Sequence, residues 1–293
     1  MPTLNDLKPA ENFVALVVGK AGSGKSSALA SFASKDAPMY VFDVDHRIKG
    51  IQGSREFIGE DAWNNITFDQ YDVIDGFKSI ETQFMEFSIK YDKKQLQYKN
   101  IVIDSVGSLG RMFLRDSLAL RGVKPGADLS KLSSDQKRGM RIVGNVAFPT
   151  PADYNYASQC FHILFYNYFT HFTKCNVFLS GWTVDRWIDD PNSDNQYAPQ
   201  IISGTQLLAT NKIAAEIPGY FDEIWEFDKI ETGKSKDPVQ FVVKFRSALA
   251  KTSIPNLPNG NVDITSKNFK NVLFDLIEKG KKHDIQRGNA VAG

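Results

Sequence analysis

Short unbroken apolar runs alternate along this chain with segments whose apolar positions recur every three or four residues. Phe13 to Val18 (FVALVV), Met39 to Phe42, Ile101 to Ile103 and Val177 to Leu179 are apolar without alternation. That is the pattern of strands buried on both faces of a parallel sheet. Ile224 to Phe227 adds a fifth run. Val239 to Phe245 (VQFVVKF) comes closer to strict alternation and suits an antiparallel edge. Helical spacing fills the gaps. Ser26 to Ala33 follows the first run, and Phe77, Ile80, Phe84, Phe87 and Tyr91 mark one face of a second helix. Tyr154 to Phe172 reads as a third. Its aromatic residues Tyr154, Phe161, Phe165, Phe169 and Phe172 have the spacing of a buried helix face rather than of a base-stacking platform. Near the end, Ser266 is placed to cap a helix carrying Phe269, Val272, Leu273, Leu276 and Ile277, with Gly280 as its stop. Strands alternating with helices predict an α/β, doubly wound architecture with a mostly parallel sheet flanked by helices.

One domain over residues 11–280 accommodates these elements. Residues 1–10 read as an N-terminal arm and 281–293 as a flexible tail, basic at first and then small and polar. The 293 residues are 42% hydrophobic and 24% charged, an ordinary globular balance, and the net charge of +1 leaves any basic surface to be local. Cys160 and Cys175 lack a CxxC spacing and read as reduced, buried thiols of a cytosolic protein. No run approaches the roughly 18 apolar residues of a membrane span. The N-terminus lacks an apolar signal core. The expectation is a soluble, cytoplasmic chain with no membrane partner.

Candidate chemistry starts where FVALVV ends. GKAGSGKS fits G-x-x-x-x-G-K-[ST] at Gly19, Gly24, Lys25 and Ser26, between a strand and a helix. Gly19, Lys20, Ala21, Gly22, Ser23, Gly24, Lys25, Ser26 and Ser27 then form a phosphate cradle. Its backbone N–H groups and helix N-terminus attract anions. Lys25 is expected at the β- and γ-phosphates of ATP and the Ser26 hydroxyl on Mg²⁺. A second metal ligand should end a neighbouring apolar strand, and Asp104 ends Ile101-Val102-Ile103. Ser105 follows it, where many such ATPases place a catalytic Glu. The water-activating acid is therefore sought on Tyr40-Val41-Phe42-Asp43-Val44-Asp45-His46, with Asp45 first and Asp43 next.

With GKAGSGKS, FDVDH and IVIDSV in this order, the chain resembles the RecA-like ATPase core. It is also similar to phage-encoded RecA-like ATPases associated with single-strand annealing and recombination. The resemblance extends loosely through Phe148 to Trp182, Pro218 to Glu223 and KFRSALAKTSIPNLP. It implies a RecA-like P-loop NTPase fold that hydrolyses ATP with Mg²⁺, assembles as a homo-oligomer and acts on DNA, expected to be single-stranded, in the host cytoplasm. It places Asp45 where the family has a catalytic Glu, one methylene longer. It puts Ser180, Gly181 and Trp182 near the position of a γ-phosphate-sensing Gln. It also makes Arg246 and Lys251 candidates for action on a neighbouring subunit's nucleotide.

Between Arg111 and Arg141 lie eight basic and three acidic residues. With Gly122, Pro125, Gly126 and Gly139 in it, the segment reads as an exposed loop. Lys131, Lys137, Arg138 and Arg141 become candidate DNA contacts. The alternative is an ordinary solvated surface whose Asp128 and Asp135 pair locally with lysines. Other functions remain open at this level: an ATPase acting on a protein client or in DNA packaging, a small-molecule kinase, or a nucleotide-binding module with little turnover.

Overall fold

The computed structural model describes residues 12–72, 74–123, 128–138, 140–144, 146–188, 201–209, 211–233 and 238–291. The predicted arm at 1–10, Lys124 of the basic segment and the last two residues of the predicted tail lie outside these. In chain order the elements begin with β1 (Val14–Gly19), α1 (Lys25–Ala30) and β2 (Met39–Asp43). A 3-10 segment, Ile48–Ser54, leads to α2 (Arg55–Ile58), α3 (Glu60–Asn64), β3 (Ile66–Gln70) and α4 (Gly76–Asp92). Then come β4 (Asn100–Asp104), α5 (Val106–Leu120), α6 (Ser134–Lys137), β5 (Arg141–Val143) and β6 (Val146–Phe148). They are followed by α7 (Pro151–Leu164), β7 (Asn176–Ile188), β8 (Ile201–Leu207) and α8 (Asn211–Glu216). The chain closes with β9 (Glu223–Glu231), β10 (Val239–Lys244), β11 (Val262–Asp263) and α9 (Phe269–Val291).

The main sheet runs β11-β10-β9-β1-β7-β4-β2-β3. From β9 to β3 every pairing is parallel, and β10 is antiparallel to β9. This is the mostly parallel α/β sheet the apolar runs imply, with VQFVVKF as its antiparallel member. The runs lack alternation because both faces are covered. Leu16 and Val18 join Phe42, Ile103 and Leu179 beneath α4, α5 and α7. Ala15 and Val17 face the other way, with Val41, Phe178 and Trp225, against α1 and α9. Aromatic rings set much of the packing. Phe42 stacks on Phe84 with centroids 4.5 Å apart, and Phe32, Phe178, Trp225 and Phe269 crowd the opposite face. Each such buried side chain is worth about 1.5–3 kcal/mol over its exposed state. Cys160 and Cys175 are buried and unbridged, as their spacing suggested.

Several sequence expectations are corrected. β7 continues well beyond Leu179 because its outer half leaves the sheet and pairs antiparallel with β8. The polar edge strand β3 carries no apolar run because four of its five residues are exposed. Tyr154 to Phe172 is not one α-helix: Thr150 and Asp153 form a capping box that starts α7, with Pro151 in its first turn. The chain passes into a π-helical turn, Phe165–Phe169, after Leu164. Phe161, Phe169 and Phe172 are buried, which supports the core reading of that aromatic stripe. The start of α9 is held by Asn268, whose Oδ1 accepts from the Asn271 N–H at 3.2 Å, and not by Ser266. Gly280 does not stop α9. A Cβ there would lie 3.0 Å from Asn256 Cβ, so this glycine answers to close packing against the preceding loop.

The basic segment is also not one loop. Arg111 and Arg115 belong to α5, Lys131 ends a 3-10 turn from Leu129, Lys137 ends α6 and Arg141 opens β5. Arg121 is built into the fold. It pairs with the buried Asp153 at 3.1 Å and donates to the carbonyls of Gln136 and Arg138.

Candidate functional site

The C-terminal ends of β1, β4 and β2, with β7 between the first two, share one edge of the sheet, where open α/β folds hold their ligands. The turn after β1 starts with a very close approach. A Cβ on Gly19 would lie 2.2 Å from the Phe227 carbonyl oxygen of β9, so only glycine fits there. Gly24 takes φ 88° at the threshold of α1, a left-handed conformation that favours glycine. Lys25, almost fully buried, donates through Nζ to the carbonyls of Gly19 at 2.8 Å and Lys20 at 3.0 Å, and to Ser23 Oγ at 3.4 Å. Burial lowers its pKa to about 8, against the opposing pull of Asp104 and Asp45.

Asp104 sits at the centre of the site. Ser180 Oγ donates to its Oδ1, and Ser26 Oγ donates to its Oδ2 at 3.2 Å. Burial pushes its pKa up; the Ser180 bond opposes this, the charge of Asp45 adds to it, and Ser26 and Lys25 pull it back. The ends of β2 and β4 are tied together, because the N–H groups of Val44 and Asp45 both donate to the Asp104 carbonyl, at 2.8 and 3.0 Å. Asp45 is thereby fixed beside Asp104, and Ser105 Oγ donates to its Oδ2 at 2.9 Å. Ser26 and Asp104 offer two hard oxygens, a donor set that suits Mg²⁺ when phosphates and water supply the remainder.

Asp43, the second candidate acid, is otherwise engaged. Its buried carboxylate accepts from the N–H groups of Arg47 and Ile48 and from Gln70 Nε2, which shapes the loop after β2. His46 turns aside to the Tyr71 carbonyl and Asp72. Lys20 pairs with Asp185 of the β7 extension at 2.9 Å. The Arg47 guanidinium lies over the Trp182 ring, 4.4 Å from its centroid.

The structure thus brings Lys25, Ser26, Asp104 and Asp45 together. It does not bring Arg246 or Lys251 near them. Arg246 contacts Asn259, and the Lys251 backbone bridges Ile224 near the start of β9, toward the sheet edge opposite the phosphate loop. Lys131, Arg138 and Arg141 are exposed. Lys131 lies 3.5 Å from Asp128, Lys137 donates to the Ser130 carbonyl, and Arg141 covers Phe148. Sequence reasoning missed Ser105 as a partner of Asp45 and Ser180 as a partner of Asp104, although both serines stood beside the motifs. It also missed a cavity of about 210 Å³ next to the phosphate loop, lined by Gly24, Ser27, Ser54, Phe57, Phe241 and Lys267.

A glycine-rich turn between a buried parallel strand and a helix, with a lysine inside it and an acidic strand end opposite, defines a P-loop nucleotide-hydrolase domain. The chain belongs to the AAA domain family, whose model matches residues 11–253. No curated protein matches the sequence. No helix among the described residues is long and apolar enough to cross a membrane.

Proposed function

We propose that this protein hydrolyses ATP with Mg²⁺ in the manner of RecA-like ATPases, and that turnover drives its action on single-stranded DNA as a homo-oligomer in phage-type recombination or replication. One observation carries the hydrolysis reading: a single buried carboxylate, Asp104, accepts from the phosphate-loop Ser26 and from Ser180 of the neighbouring strand β7. In this reading the loop amides bind the β- and γ-phosphates and Lys25 exchanges its carbonyl partners for phosphate oxygens. Ser26 and Asp104 would hold Mg²⁺, which when bound offsets phosphate charge. Asp45, held by Ser105, orients the attacking water and accepts its proton.

The nucleoside has a natural place. A triphosphate threaded through the loop reaches Ser27 at its α end, and the cavity beside Ser27 begins there. Phe57, partly exposed at its rim, would offer a ring face to the base. Arg246 and Lys251 keep a role only toward a second subunit, since their position takes them away from their own phosphate loop.

The DNA reading rests on the resemblance and on the exposed cations Lys131, Arg138 and Arg141, with Lys137 beside them. A protein client is the second reading, and a specific observation favours it: Val143, Val146 and Phe148 are exposed on the β5–β6 hairpin in the same region. ATP turnover measured with and without single-stranded DNA, beside a mass measurement, separates the two. Stimulation by DNA in an oligomeric protein supports the first reading. Salt-independent turnover that DNA leaves unchanged turns the assignment to a protein client. Replacing Lys131, Lys137, Arg138 and Arg141 with Ser should flatten the log–log salt dependence of DNA binding by roughly two to three, at about 0.7 per phosphate contact.

A further inference from the structure

Arg47 has an arrangement that the reading above does not use. Its backbone is pinned: the N–H donates to the buried Asp43 carboxylate at 2.9 Å, two residues beyond Asp45. Its tip is far from its root. The guanidinium lies over Trp182, and Trp182 is the parallel-sheet partner of Gly19, the first residue of the phosphate loop. Since the strands run β1-β7-β4-β2, a side chain rooted after β2 and resting on Trp182, where β7 leaves its pairing with β1, passes across the end of β4, which carries Asp104. Neighbouring strands are about 4.8 Å apart, so the arm spans roughly two strand spacings over the site.

Among the described residues, no carboxylate or carbonyl takes a hydrogen bond from this guanidinium; the indole face is its contact. An aromatic face holds an arginine cation while leaving its in-plane N–H donors unused. Those five donors match phosphate oxygens in pairs. The site's other cations are committed elsewhere, Lys25 within the loop and Lys20 to Asp185.

We propose that Arg47 is a catalytic arginine acting within its own subunit, resting on Trp182 and moving onto the γ-phosphate when ATP is bound. The proposal rests on the ATP-hydrolysis reading. In the step itself the water oxygen bonds to the γ-phosphorus as the bond to the β,γ-bridging oxygen breaks. The electron pair of that bond stays on ADP, and the water proton leaves by way of Asp45. Arg47 exchanges no proton. It offsets the negative charge spread over the transferring phosphoryl oxygens and the charge that builds on the β,γ-bridging oxygen as its bond breaks. Trp182 serves as a positioning residue that keeps the cation at the site between turnovers.

The test compares wild type, Arg47→Ala, Arg47→Lys and Trp182→Ala. It reads kcat, KM, ADP affinity, and trapping of ADP with aluminium fluoride as a transition-state mimic. Arg47→Ala should lower kcat by about 10²-fold or more, with ADP affinity preserved and trapping lost. Arg47→Lys, which keeps the charge and the stem, should recover only part of the rate, because a point charge cannot make paired contacts. Trp182→Ala, which removes the aromatic face under the cation, should lower kcat several-fold with ADP affinity preserved, and an unchanged kcat would remove Trp182 from its positioning role. Preserved ADP affinity shows that a variant is folded. If wild type hydrolyses ATP and both Arg47 variants turn over and trap within about twofold of it, the proposal is overturned while the ATPase reading stands. If wild type binds ATP and never turns it over, the hydrolysis reading fails and this proposal fails with it.

Discussion

Ser180→Ala removes one hydroxyl from the interior of the sheet and tests the carboxylate at the centre of the site. Ser180 is fully buried, and its Oγ donates to Asp104 Oδ1. The substitution deletes little volume, so its chief effect is on Asp104. A hydrogen bond to a charged group is worth about 1.5–3 kcal/mol, and its loss leaves a buried anion with one donor fewer. Losing that donor raises the Asp104 pKa further. The sign follows from the direction already present. Burial holds the Asp104 pKa above its ordinary value, and Ser180 is the largest influence opposing that rise. The ionised form is the one that binds Mg²⁺, so activity is present above this pKa and fades as pH falls through it. Removing Ser180 moves that fade to higher pH. The assay is the Mg²⁺ concentration giving half-maximal ATP turnover, measured across a pH series from acid to alkaline. The variant should need about 10- to 100-fold more Mg²⁺ at the acid end and converge on wild type toward the alkaline end. An unchanged Mg²⁺ requirement across that range would refute the reasoning.

Asp45→Asn should leave ATP bound and slow hydrolysis by about 10²–10⁴-fold, measured as phosphate release beside nucleotide binding; normal turnover would exclude Asp45 as the acid. Asp43 is no substitute, because its carboxylate is consumed by the loop after β2. Lys25 gives a pH dependence of opposite sense to that of Asp104. Its folded pKa, lowered to about 8 by burial, lets the ammonium discharge above that pH, so ATP affinity should fall as pH rises past about 8. Over the same window the unfolded chain holds more protons at this group than the folded one. Stability from this group should therefore rise with pH until its ordinary value of 10.5, readable as a higher melting temperature without nucleotide. Gly19→Ala should displace the phosphate loop from β9, because its Cβ would meet a backbone oxygen at 2.2 Å. The expected result is loss of ATP binding in calorimetry, and wild-type affinity would contradict the steric account.

Much of this architecture was legible because burial on two faces writes itself into sequence. A strand such as FVALVV has no polar position to spare, and a phosphate loop needs its glycines and lysine at fixed spacing. That Asp104 and Asp45 would lie together at the sheet edge was legible because each stands at or just after the C-terminal end of an apolar strand of the same sheet. Elements that make little use of apolar burial escaped. β3 is an exposed edge, and the outer half of β7 is held by β8 rather than by the core. Charge was the poorest guide. Arg121 looked like one more surface cation, yet it joins Asp153, Thr150 and two carbonyls in one network, because α5 and α7 happen to bring them together. Ser266 and Gly280 had the right chemistry for helix ends, but Asn268 and close loop packing decide those positions. The meeting of Arg47 with Trp182 depends on strand order, which no local pattern encodes.

The central claim is that Lys25, Ser26 and Asp104 make this sheet edge a Mg²⁺-dependent ATP-hydrolysing site. Phosphate release from ATP by wild type and Lys25→Ala, with and without Mg²⁺, tests it most directly. The account predicts turnover by wild type that vanishes when Mg²⁺ is chelated, and none from a Lys25→Ala protein that still melts cooperatively. A folded Lys25→Ala protein releasing phosphate at the wild-type rate would contradict it.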